Sequence, residues 1–227
     1  MSRILAVSRM QLVNKWTFLG MPGVILGGAF VLSLAIFALV PGEKYSGGAS
    51  FAPLWYFFAL GLQSLTMTFP FALGMSVSRR SYFLGTYATF AAVALGMALL
   101  YTVGTQLEAA TSGWGMNGYF FRTPFLFDGP WWQSLALSFV ITMFFFSTGF
   151  WSATVYKRWG VTGALIMGIG VALIVLAAVF LLTWTGNWAA VGEFFAHVQG
   201  IGLAGVVLVL VAAMSLGGYL TIRRATA

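Results

Sequence analysis

Two adjacent arginines, Arg79 and Arg80, stand in the run Leu73, Gly74, Met75, Ser76, Val77, Ser78, Arg79, Arg80, Ser81, Tyr82. A guanidinium keeps its charge at any ordinary pH and presents a planar fork of N–H donors, which suits paired bonds to a carboxylate. The chemistry available here is docking against an acidic surface. A second and weaker set, Lys157, Arg158 and Trp159, offers the same. Arg3, Arg9 and Lys15 lie near the start of the chain, and Arg223 and Arg224 near its end. Reaction chemistry is poorly served. With no cysteine and a single histidine, His197, the chain has no thiol nucleophile, disulfide framework or multi-histidine metal site. The acids Glu43, Glu108, Asp128 and Glu193 are scattered, and no lysine follows a glycine to complete a phosphate-binding loop. Neither H-E-x-x-H nor G-x-S-x-G occurs, and Ser46, Gly47 and Gly48 read as a turn. We therefore expect no catalytic residue, no metal and no cofactor on this chain, and no enzymatic activity of its own.

The elements that must hold these cations are apolar helices. The 227 residues are 60% hydrophobic and only 7% charged, too little polar surface for a soluble globule of this size. Six charge-free stretches, about 19–40, 53–75, 83–105, 133–155, 161–184 and 201–222, are each long enough to cross roughly 30 Å of hydrocarbon as a helix. They are apolar on all sides, whereas strands of a membrane barrel alternate. The expected class is an all-α membrane protein forming a single transmembrane domain. Because nine of the eleven basic residues, all but Lys44 and Arg122, fall at alternate ends of these segments and all four acids at the other ends, both termini are expected in the cytoplasm. The net charge of +7 is spread over short loops and forms no stripe, so no nucleic-acid partner is expected. The first apolar run is too long for a signal-peptide core and ends in no clear A-x-A site, and so reads as a retained helix.

Residues 1–18 read as an amphipathic helix lying along the inner leaflet, with Leu5, Leu12, Val13, Trp16 and Leu19 on its apolar side. Residues 187–198 read as a short outer amphipathic helix before the last span, with Glu193 and His197 on its polar side. The ring-rich stretch 106–132, with Trp114, Tyr119, Phe120, Phe121, Phe125, Phe127, Trp131 and Trp132, reads as a set of interface anchors. Gly23 and Gly27, then Ala88, Ala92 and Gly96, then Ala164, Gly168 and Ala172 form small-residue faces for close packing within or between subunits. No ionisable group falls inside a span. The neutral polar residues there (Gln63, Thr66, Thr68, Thr142, Ser147, Thr148, Ser152 and Thr154) are expected to bond between helices, and Pro70 is the one obvious interior break.

With this layout the chain resembles an ABC-2-type transporter permease, the membrane subunit of a bacterial ABC exporter whose ATPase is a separate polypeptide. The likeness is strongest from Leu73 to Thr86, which is similar to the family's "G-[VM]-[ST]-R-R-x-[FY]-x-x-G" run between spans two and three. The resemblance implies that Ser78, Arg79, Arg80, Ser81 and Tyr82 form a coupling helix against the ATPase, with Lys157, Arg158 and Trp159 as a secondary cytoplasmic contact. It further implies two ATPase copies carrying ATP and Mg, a second permease copy forming a homodimer, and a place in the bacterial plasma membrane. The expected activity is alternating-access export of a hydrophobic or amphipathic substrate, drug-like, peptide or lipid-like, past Gln63, Met67 and Phe71 near spans two and five. The competing reading is a membrane scaffold or regulatory subunit that transports nothing.

Overall fold

A computed structural model describes residues 3–46, 48–123, 126–127, 129–198 and 200–223, and the side chains of Arg3, Leu5 and His197 lie outside that description, as do Gly47, Phe125, Asp128 and Arg224. The protein is built almost wholly of helices: α1 (Arg3–Gln11), α2 (Met21–Leu39), α3 (Ala52–Gln63), α4 (Phe69–Gly74), α5 (Arg79–Ala110), α6 (Trp131–Thr185), α7 (Trp188–His197) and α8 (Ile201–Ile222). Two-residue strands β1 (Lys44–Tyr45) and β2 (Gly118–Tyr119) pair in parallel, Lys44 opposite Gly118 and Tyr45 opposite Tyr119. Among the described residues, five helical stretches are long and apolar enough to cross a bilayer, α6 with both of its arms counted as one.

The expected fourth and fifth spans fall in α6, which is two helical arms, residues 131–159 and 161–185, joined at a kink. Gly160 sits at φ 67°, ψ −160°, backbone that only glycine adopts readily, and the chain reverses there. The reversal follows from the packing of α8, which runs parallel to the first arm of α6: Gly200 lies against Gln133, Thr148 meets Met214, and Gly217 and Gly218 meet Trp151 and Phe150. To return from Val155 to Gly200, residues 161–185 must run back past the whole length of the first arm. Yet no residue from 161 to 185 is buried, so this second arm splays away from the rest of the molecule.

The core lies among α3, α5, the first arm of α6 and α8. Gly61 and Gly149 let α3 and α6 touch backbone to backbone, since a Cβ on either would overlap a main-chain atom of the other helix, the Phe146 or Phe58 carbonyl. Rings fill the space alongside: Phe90 stacks on Phe146 at 4.0 Å, and Phe57, Phe150 and Phe69 are fully or almost fully buried. The small-residue faces predicted from the sequence do not pack here. Nothing from outside their own helices lies within 4 Å of a Cβ placed at Gly23, Gly27, Gly96 or Gly168, and those stripes face outward.

Polar side chains in the apolar helices mostly bond back to their own helix rather than across, contrary to expectation. Thr142 donates to Ser138 O, Thr148 to Phe144 O, Ser152 to Thr148 O, Thr154 to Trp151 O and Thr66 to Leu62 O. A hydroxyl one turn along finds its own backbone acceptor with no second helix required.

Two π-turns interrupt the helices, Trp16–Gly20 before α2 and Ser64–Thr68 between α3 and α4. Each stands just ahead of a proline, Pro22 or Pro70. A proline ring lacks the N–H and crowds the carbonyl four residues back, and one wide turn accommodates both defects.

Candidate functional site

The loop bearing the paired arginines is a corner, not a separate helix. At the end of α4, Val77 N donates to Ala72 O (3.1 Å) and Ser76 N to Leu73 O (3.0 Å), with Ser76 left-handed at φ 58°. This pair of bonds closes a Schellman turn. Ser78 follows at once as the N-cap of α5, accepting from Ser81 N (3.1 Å) and donating to Ser81 Oγ (2.8 Å). Arg79 and Arg80 thus occupy the first turn of α5, where the helix dipole disfavours positive charge.

The five expected coupling residues have separate positions. Arg79 Nη1 donates to Arg223 O (2.7 Å) and Ile222 O (3.4 Å), capping the end of α8. Arg80 and Ser78 are exposed and Ser81 is half-buried. Arg80 has no hydrogen-bond partner among the described residues. Tyr82 is fully buried, so it cannot touch a docked partner: its hydroxyl donates to Ser64 O and meets Thr68 Oγ1 at 2.7 Å. The corner is therefore tied to α8 by Arg79 and to the π-turn of the second span by Tyr82.

Helix α1 lies across the start of α5. Ser8 donates to Gly85 O (3.1 Å), Gln11 Nε2 donates to Thr86 Oγ1 (2.7 Å), and Val7 and Gln11 are buried. The side turned to the protein is thus Val7 and Gln11, while Val13, Trp16 and Leu19 face outward, as an apolar face turned to lipid would. Between this segment and the second span is a cavity of about 330 Å³, with the two π-turns on opposite walls. Thr17 and Phe18 come from one, Ser64, Met67 and Thr68 from the other, and Gln11, Asn14 and Gln63 add amides. Each π-turn has a carbonyl held by a tyrosine: Tyr56 donates to Thr17 O (2.9 Å), as Tyr82 does to Ser64 O. Of the expected path residues, Gln63 and Met67 line this cavity, whereas Phe71 is exposed one turn farther on.

Lys157, Arg158 and Trp159 lead into the reversal at Gly160. The Arg158 guanidinium lies 4.4 Å from the Trp159 ring, and Trp159 borders an apolar cleft of about 440 Å³ between the two arms of α6. Together with Arg9, Lys15, Arg79, Arg80 and Arg223 these residues make one end of the molecule basic, with no acid among the described residues there. Glu43, Glu108 and Glu193 are at the other end, with Lys44 and Arg122.

That opposite end holds the feature sequence reasoning missed. Glu108, placed by its position in the loop stretch 106–132, sits in the last turn of α5 and is fully buried. Its carboxylate accepts from Phe120 N (2.6 Å), Phe121 N (2.9 Å), Arg122 N (2.9 Å) and Trp114 Nε1 (2.9 Å). By capturing three successive amides it pulls the loop inward, so Phe120 and Phe121 pack on Phe30 and Tyr101 instead of anchoring at an interface. Phe127 is also buried, while Trp131 and Trp132 do stay exposed. The available signal was a lone acid only three residues past an apolar run. Lys44 Nζ caps α2 through Phe37 O (2.7 Å), and the Tyr45 hydroxyl donates to Glu43 (2.6 Å), which raises its pKa, with desolvation as the lesser cause. Among the described residues there is no cluster of His, Cys, Asp and Glu that could hold a metal.

Fold and site together describe a mostly helical protein with several helices of membrane-crossing length, and a capped, cation-bearing corner at its basic end. No protein-family model, curated protein or solved structure matches the chain.

Proposed function

We propose that this chain is the permease subunit of an ABC exporter in the bacterial plasma membrane, crossing it six times with both termini in the cytoplasm. It works by alternating access as a homodimer above two copies of a separate ATPase, which carry the ATP and Mg. The substrate is hydrophobic or amphipathic. The observation that carries this reading is the corner at Ser78–Tyr82: an exposed Arg80 on a doubly capped turn whose neighbours grip both α8 and the second span. A turn with so little slack passes a push from a partner directly into two membrane helices. The outward small-residue faces and the splayed arm 161–185 support a second permease copy, because close helix contacts in lipid use such faces.

The two arginines then have different tasks, and this separates the proposal from a mere topology signal. Arg80→Glu leaves the melting temperature of the purified chain unchanged and abolishes both co-purification with a co-expressed ABC ATPase subunit and stimulation of its ATP hydrolysis. Arg79→Ala loosens the end of α8 and lowers the melting temperature. Full ATPase stimulation by the Arg80→Glu protein would overturn the proposal.

A further inference from the structure

The two arms of α6 face each other across a cleft that neither fills. Trp151, Val155 and Trp159, spaced four residues apart, share one face of the first arm, and Gly163, Ile166 and Met167 share one face of the second. Beside the reversal the arms touch, since a Cβ on Gly163 would overlap Trp159 Cβ. The space between the two faces is about 440 Å³, within the range for ligand sites, roughly 300–1,000 Å³. Its lining carries no charged side chain, and water held there would lack the two to four polar partners it needs. Hydrocarbon is the filling that suits it. The neighbouring cations then select among lipids. The Arg158 guanidinium lies 4.4 Å from the centre of the Trp159 ring that borders the cleft, and Lys157 precedes it. Neither cation has a hydrogen bond or ion pair with a described residue, whereas Arg79 is committed to the end of α8. With no acid among the described residues at this end, the charge beside the cleft is uncompensated. Phosphate oxygens take paired bonds from a guanidinium, while a zwitterionic headgroup brings an ammonium that the same cations repel.

We infer that this cleft is a binding site for an anionic phospholipid of the leaflet at the basic end of the molecule. Its phosphate sits at Lys157 and Arg158, and one acyl chain lies between the two arms, along Trp151, Val155 and Ile166. A soluble acidic partner can meet the cations but has nothing to place in the cleft, and a neutral lipid can fill the cleft but leaves the cations unpaired. The site rests on α6 lying in a bilayer and needs no ATPase, so it stands or falls separately from the exporter reading.

The test uses the full chain purified in detergent and a phosphatidylglycerol carrying a diazirine in one acyl chain, with crosslinks mapped by peptide mass spectrometry. Labelling is expected to concentrate in residues 151–167. Unlabelled phosphatidylglycerol should compete about tenfold better than phosphatidylcholine of the same chains, and soluble glycerol phosphate should not compete. Lys157→Gln with Arg158→Gln should erase the preference between the two lipids at unchanged melting temperature. Equal competition by phosphatidylcholine, or labelling spread evenly over all outward helices, would show ordinary lipid contact and overturn the site. Competition by glycerol phosphate would make it a site for free phosphate and overturn the lipid. An unchanged preference in the double variant would leave these cations to a protein partner, which also overturns it.

Discussion

The two arms of α6 are successive helices joined at Gly160, yet the first is packed against its neighbours and the second has no buried residue. Residues 131–155 meet α3, α5 and α8, while nothing from 161 to 185 is buried. Apolarity does not explain the difference. The most hydropathic window of α6 has no buried residue, whereas the stretch Ala49–Gly74, the least hydropathic of the five long segments, is among the most buried. In lipid an apolar side chain gains nothing by leaving the bilayer for a neighbouring helix, so association depends on close fit. The first arm has that fit: Gly149 meets α3 backbone to backbone, and Phe146 and Phe150 fill the groove beside it. The second arm carries Gly168 with open space around it.

The comparison can be broken most severely at the glycines. Gly149→Leu drives a side chain into the Phe58 carbonyl and should destabilise the chain by about 3 kcal/mol or more, the upper part of the overpacking range, read as a large drop in melting temperature by tryptophan fluorescence. Gly168→Leu, with open space around it, should leave the monomer's melting unchanged and reduce homodimer yield in chemical crosslinking. Equal losses of stability in both variants would mean the second arm packs within the chain after all.

A smaller effect is expected at Glu108, which does for the loop after α5 what Gly149 does for the core. Glu108→Ala strands several buried N–H groups, each worth about 1–3 kcal/mol, and should expose residues 111–123 to protease while the helices stay intact. Glu108→Gln, which keeps one acceptor oxygen, should be milder. Protease resistance equal to the parent in the alanine variant would show that the loop is held by its rings alone.

The smallest effect concerns Tyr45 at the same end. Its hydrogen bond to Glu43 raises the folded pKa above the unfolded value of about 10. The linked stability is present below that value and is lost as pH rises through the folded pKa. Glu43→Gln should bring the Tyr45 midpoint down in a phenolate absorbance titration, with Tyr45→Phe as the blank. An unmoved midpoint would remove Glu43 as the cause.

Much of the scaffold is legible along the chain because lipid imposes local rules. A crossing needs an apolar run of given length, and charge keeps to the ends, so the long helices and the helix at 188–197 follow from composition and spacing. Fit leaves a fainter mark. Gly61 and Gly149 look no different from Gly23 and Gly27 until the partner helix is present, and Arg79 looks like Arg80 until α8 ends beside it. Pro70 signalled a break but not that a π-turn would answer it, nor that Pro22 would produce its twin across a cavity.

By itself, then, the sequence determined where apolar helices lie and which ends carry charge, because those follow from the cost of polar and charged groups in hydrocarbon, residue by residue. Only the tertiary structure decided which glycines are contacts, which arginine is free, and that Glu108 is a buried clasp. It also decided that the fifth apolar segment stands apart. Those outcomes turn on which atoms of distant segments come within hydrogen-bonding or van der Waals reach, and no local pattern encodes that.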